Sequence, residues 1–173
     1  MEFLTGVKEK ETIGIREILS GDYVGKTVKM NGAVHNIRDM GEFAFIILRK
    51  EEGLVQCVYE EGKTEFDLKD LKEESAVEVT GVIALEERAP QGFELRLTGI
   101  RVLSEPAETM PIAINKWKMN TSLETRLSLR PVSLRNVRER AKFKIQEGIV
   151  RGFREFLSSQ GFTEVHTPKI VSR

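Results

Sequence analysis

The residue types that could do chemistry are few in this sequence. Cys57 is its one cysteine, which excludes an internal disulfide, and with only His35 and His166 beside it there are too few soft ligands for a structural zinc site. Redox and metal-thiolate chemistry drop out. His166 has no nucleophile at patterned spacing and reads as a structural or interface residue, while Cys57 reads as a small core residue. Three further groups are polar or aromatic at defined places: Arg38-Asp39 before a glycine, Phe45 inside an apolar run, and Gln56 between Val55 and Cys57. Taken singly, Phe45 reads as core, Gln56 as a solvated strand residue, and Arg38-Asp39 as a turn ion pair worth about 0.2 to 1 kcal/mol.

The 173 residues are 40% apolar and 31% charged, an ordinary globular composition of one to two domains. No apolar run approaches the roughly 18 residues of a membrane span, and the first residues lack the apolar stretch of a secretory signal. A cytoplasmic protein without membrane contact is expected. Lys+Arg 27 and Asp+Glu 27 cancel, yet the charge is unevenly placed. Residues 51–74 hold nine acids against three lysines, net −6, and residues 116–155 hold eleven basic residues against four acids, net +7. The two regions have different neighbours or different tasks.

The elements that must position these groups follow from periodicity. Eleven of the fourteen glycines precede residue 105, each near the end of an apolar, β-branched run, which is strand-and-turn punctuation. Residues 26–37 alternate, with Val28, Met30 and Val34 on one face and Lys29, Asn31 and His35 on the other. Further strands are expected at 43–49, 54–59, 75–85 and 93–103, with a short helix over 64–72 and an entry helix at 13–19. Three strands, a helix and two strands is the order of the five-stranded oligonucleotide-binding (OB) barrel. Residues 105–131, broken by Pro106, Pro111 and Pro131, read as a hinge or linker. Residues 132–160 carry a helical stripe of Val137, Ala141, Ile145, Ile149, Phe153 and Phe156 and a second stripe of Phe143, Val150 and Leu157, with Gly161 as the stop. A strand is expected at 162–171. The expected class is mainly β with a C-terminal α segment, divided into a barrel at 1–104, a hinge at 105–131 and the start of a further domain at 132–173.

Residues 31–56 and 123–171 together resemble the class II aspartyl-, asparaginyl- and lysyl-tRNA synthetases, the first segment their anticodon-binding barrel, the second their hinge and first class II signature of helix, glycine and strand with a proline. RDMGEFAFIILR, LETRLSLR and GFTEVHTPKIV look most like the archaeal type of aspartyl enzyme, with the asparaginyl enzyme as runner-up. The resemblance implies that Phe45 stacks on the central anticodon uracil, Gln56 at the end of strand three reads its edge, and Arg38 touches base and phosphate. It implies tRNA(Asp) as partner, and a homodimer whose interface includes Phe143, Val150, Leu157 and Pro168. The full enzyme would use ATP and Mg²⁺ to attach aspartate, while no cofactor, catalytic residue or adenylation is expected of these 173 residues, which end inside a domain. Ala33 replaces a tryptophan often found in the family. His35, expected to face outward where discriminating archaeal-type enzymes resemble one another in carrying tryptophan, points to RNA contact and to charging of tRNA(Asn) as well. A free-standing module that binds single-stranded nucleic acid is the competing class.

Overall fold

A computed structural model describes residues 12–64 and 66–167, which fall into two compact units, one up to Met110 and one from Pro111. In the first, helix α1 (Ile15–Ser20) precedes strands β1 (Thr27–Asp39), β2 (Phe43–Arg49), β3 (Leu54–Glu60), β4 (Ala76–Leu85) and β5 (Phe93–Ser104). The strands close into a barrel in the order β1-β2-β3-β5-β4, antiparallel except for β3 beside β5. The expected five-stranded barrel is therefore formed. Period-two alternation sends Met30, Val34, Ile46, Leu48, Val55, Cys57, Val77, Val79, Ile83 and Leu95 into its core, all almost fully enclosed. Cys57 behaves as expected, and burial pushes its thiol pKa far up.

β1 is long enough to pair with two neighbours. Thr27 to Ala33 pair with β4 and Ala33 to Asp39 with β2, so Ala33 stands opposite both Ala76 and Arg49. At this change of partner β1 carries an irregularity between Val34 and Asn36. An extra residue in one strand increases local twist, which helps bend a strand around a small barrel. The pairing of β4 with β5 has two further register shifts, opposite Ala76/Val77 and opposite Thr80/Gly81, each passing over one residue of β5.

Two expectations about helices need correction. The stretch 64–72 is not a helix but ends in a single 3-10 turn, Leu68–Asp70, whose start is capped by Asp67 accepting from the Lys69 N–H at 3.0 Å. Its apolar residues Phe66, Leu68 and Leu71 pack on the barrel core individually. Within 105–131, read as a hinge or linker, there is regular structure as well. The second unit contains α2 (Leu123–Ser128), α3 (Arg130–Ser133) and α4 (Val137–Ser159), and Ile112, Ile114 and Met119 form a small core with Leu129 and Val132.

α4 starts five residues later than expected, because Asn136 caps it by accepting from the N–H groups of Arg138 and Glu139 at 3.0 and 3.1 Å. The same buried side chain donates to the carbonyls of Ile114 at 2.9 Å and Lys116 at 2.7 Å. Gly161, at φ 84, ends the helix as expected. Residues 162–167 form no strand; the rest of that expected strand, with Pro168, lies outside the described residues.

Gly81 marks the tightest backbone approach in the barrel. A Cβ there would lie 2.3 Å from the Arg96 carbonyl oxygen and 3.0 Å from Leu95 Cγ. Gly81→Ala is expected to lower stability by at least about 1 to 3 kcal/mol through overpacking. Urea unfolding checks this, and an unchanged midpoint would contradict the tight packing of β4 on β5.

Candidate nucleic-acid interface

The registers fix which side chains share the outer face of the barrel. Arg38 on β1 stands opposite Phe45 on β2, Phe45 opposite Val58 on β3, and Val58 opposite Arg96 on β5. The next row runs Asn36, Ile47, Gln56 and Glu94. Side chains two residues apart along a strand share a face, so the two rows form one patch across four strands. Arg38, Phe45 and Gln56, far apart in sequence, are thereby brought together. Phe45 is not a core residue: Ala44 and Ile46 point inward on either side of it, and it is only half-buried.

The patch is held in shape by its neighbours. Phe43 meets Phe45 edge to face, with centroids 5.4 Å apart and planes at 84°, which orients the Phe45 ring. The turn after Arg38 is tied by Asp39 accepting from the Gly41 N–H at 2.8 Å, with Gly41 at φ 93, and by Met40 N–H donating to the Phe43 carbonyl at 2.9 Å. The Asp39 carboxylate thus serves the turn. Gln56 lies third in β3 and not at its end, and its Nε2 donates to Glu94 at 3.4 Å. Glu94 also accepts from Arg96 Nε at 3.3 Å. Asn36, Glu94 and Arg96 were not singled out from sequence. The alternation of β5 could have flagged the last two, but only the parallel pairing with β3 places them beside Gln56.

His35 is the clearest correction. It was expected to present its ring outward to RNA, yet only 6% of it is exposed. It sits in the β1 irregularity, and its Nδ1 lies 3.1 Å from Arg49 Nη1. A guanidinium only donates, so Nδ1 accepts and the imidazole is neutral with its proton on Nε2. Burial, followed by the Arg49 charge, lowers the His35 pKa against an opposing pull from Glu74. Arg49 in turn binds Glu74 in a two-pronged ion pair at 2.6 and 2.7 Å, with side chains only 8% and 3% exposed. Glu74, at φ 68, donates its N–H to the Val34 carbonyl at 2.7 Å, and the Val34 N–H returns a bond to Ser75 at 2.9 Å. This cluster clamps the segment before β4 onto the irregularity that separates Val34 from Asn36 and Arg38.

On α4, Phe143, Ile145, Ile149, Val150, Phe153 and Phe156 are all at least 40% exposed, and Leu157 is half-buried. Both apolar stripes read from the sequence are therefore uncovered within this unit. Among the described residues no cluster of three or more His, Cys, Asp or Glu could hold a metal ion, and no helix is long and apolar enough to cross a membrane.

Removing one partner of a buried ion pair strands the other charge. Glu74→Gln is expected to destabilise the barrel by about 3 to 5 kcal/mol in denaturant unfolding. A change below about 1 kcal/mol, the range of exposed pairs, would mean that the cluster is not dry.

Comparison with known proteins agrees with this geometry. Residues 28–103 match the OB-fold nucleic acid binding domain, and residues 122–173 match the class II tRNA synthetases for D, K and N. An aspartate-tRNA(Asp/Asn) ligase of Deinococcus radiodurans is 42% identical over 148 residues, which cover 86% of this chain and 33% of the relative. Another, of Archaeoglobus fulgidus, is 42% identical over 152 residues, 86% of this chain and 35% of the relative. The crystal structure of asparaginyl-tRNA synthetase from Pyrococcus horikoshii superposes with a TM-score of 0.75 at 29% identity, covering 87% of this chain and 36% of that one. The chain spans about a third of the length of the curated relatives it matches. With its barrel face on four strands and its helical unit following, it joins an anticodon-binding OB domain to the start of a class II tRNA synthetase domain, in the family of the aspartate-tRNA ligases.

Proposed function

We propose that the barrel face recognises the anticodon of tRNA(Asp), and of tRNA(Asn) as well, within an aspartate-tRNA ligase. The observation that carries this is the row Arg38, Phe45, Val58, Arg96: one half-buried aromatic flanked across the strands by two guanidinium groups. An aromatic on a sheet surface offers a stacking platform to an unpaired base, and cations on either side suit the phosphates that lead to and from it. Gln56 stands one row away. With Nε2 donating to Glu94, its Oε1 is the group left to accept from the N3–H of a uracil stacked on Phe45. Relatives 42% identical to this chain are aspartate-tRNA(Asp/Asn) ligases, which supports both aspartate as the amino acid and the dual tRNA reading. His35, being buried, acts on this face only through the strand that carries Asn36 and Arg38.

The division of labour follows the sequence reading: 1–104 for anticodon binding, 105–131 as a structured hinge, and 132–173 as the start of the catalytic domain. The family reaction joins aspartate to tRNA with ATP and Mg²⁺ in the cytoplasm. The described acids and histidines offer no donor set for that metal, and no step of adenylation is assigned to them.

An anticodon stem-loop with a central uracil tests the reading. Phe45→Ala should weaken binding by about 1 to 3 kcal/mol, the usual worth of one stacked base. Equal affinities with the barrel intact would refute it.

We also propose that α4 is part of a homodimer interface, with Phe143, Val150, Leu157 and Pro168 in it. Burying large apolar side chains is worth roughly 1.5 to 3 kcal/mol each, so two uncovered stripes favour association. Sedimentation equilibrium at tens of micromolar should give a dimer; a monomer with α4 still helical would overturn this.

A further inference from the structure

The single tryptophan of the chain is also one of its most exposed large side chains: Trp117 is 73% exposed. It is not a loose loop residue. The carbonyls of Ile114 and Lys116 are both held by the Asn136 side chain, which is only 2% exposed, and Ile114 and Met119 on either side are buried in the small core. The peptide carrying Trp117 is therefore anchored at both ends, and the indole is presented outward by design of its neighbours. Arg138, in the first turn of α4, places its guanidinium carbon 5.9 Å from the ring centroid. One face of the indole is thus occupied by a cation and the other is open.

Lys116 and Lys118 flank Trp117 in sequence and are exposed. Among the described residues, no carboxylate pairs with Lys116, Lys118 or Arg138. One cation over a firmly mounted, exposed aromatic, with two further uncompensated cations on the adjoining residues, is the composition of a single-stranded nucleic-acid platform. A protein partner of the same patch would need acidic groups and an apolar anchor; an RNA supplies both phosphate and a π-face in every nucleotide, and residues 116–155 carry net +7 overall.

We propose that Trp117, with Lys116, Lys118 and Arg138, forms a second RNA-contact site, in which an unpaired nucleotide stacks on the open indole face and its phosphates lie against the three cations. The site belongs to the unit from Pro111 and goes beyond anticodon recognition by the barrel.

Because the chain has one tryptophan, the site carries its own reporter. Intrinsic tryptophan fluorescence of the whole chain is titrated with a tRNA(Asp) transcript, and affinities are measured in parallel for Trp117→Ala, Lys116→Ala/Lys118→Ala and Phe45→Ala. Saturating RNA should quench the fluorescence and protect it from acrylamide. Trp117→Ala should weaken binding roughly tenfold, within the worth of one stacked base, while leaving affinity for an isolated anticodon stem-loop unchanged. The double lysine variant should lower the salt dependence of binding by roughly 0.7 to 0.9 in log-log slope per lysine that meets a phosphate. Unchanged fluorescence at saturation, together with wild-type affinity of Trp117→Ala, overturns the site. The barrel reading fails separately: there Phe45→Ala would bind the stem-loop like wild type while Trp117 was still quenched by the transcript. As Trp117 is exposed, its replacement leaves the fold intact, and a circular dichroism spectrum matching wild type verifies this.

Discussion

The barrel depends on the enclosed ion pair between Arg49 and Glu74, with His35 against it. β1 must belong to two pairings at once, β4 along its first half and β2 along its second. The hand-over requires a local irregularity, and an irregularity leaves strand atoms without ladder partners. Glu74 and Ser75 supply those partners at Val34, and Arg49 fastens Glu74 in a backbone conformation, φ 68, that a non-glycine residue adopts at a cost. A buried ion pair contributes little net stability compared with an apolar filling of the same volume, but it tolerates few alternative geometries. Here that selectivity sets where β1 changes partner, and with it the face on which Asn36 and Arg38 emerge.

The strands of the barrel were legible because each buries one face, and burial imposes a period of two on side-chain type. The irregularity at His35 was not, since Gly32-Ala33-Val34-His35-Asn36 contains no residue that demands an extra position, and strict alternation carried through it puts His35 outside. The stretch 64–72 misled in the opposite direction: Phe66, Leu68 and Leu71 are spaced two and three apart, which is too irregular for a helical stripe, and Leu71 is buried in the barrel core while Phe66 and Leu68 pack partly buried against it. In the hinge, Ile112, Ile114 and Met119 are too few to establish a period, yet enough to make a small core once Leu129 and Val132 pack against them. Arg38, Phe45 and Gln56 had no individual signal; their grouping came from the family pattern, and the registers supply its physical content. Arg96 and Glu94 join that grouping across the parallel β3–β5 contact, a long-range pairing that no local pattern encodes.

The second unit is built on a different economy. Its enclosed core is small, and its longest element leaves most of its apolar side chains in water. Helix order there rests on local devices: the Asn136 cap, the glycine stop at 161, and Glu139 held by Lys142 and Arg126, contacts that lower the Glu139 pKa, led by the Lys142 hydrogen bond. A cap of this kind is worth about 1 kcal/mol, modest against several exposed aromatic side chains. Asn136 does more than cap, since it joins the start of α4 to the peptide that carries Trp117.

Cys57 stands in β3 between Gln56 and Val58, its sulfur turned into the barrel while its two neighbours face outward. Fully enclosed and with its thiol held protonated, it is insulated from oxidants and alkylating reagents as long as β3 keeps both neighbours. Its reactivity is consequently a clock for transient opening of the barrel: the rate at which a thiol reagent labels the folded chain counts how often β3 leaves its place.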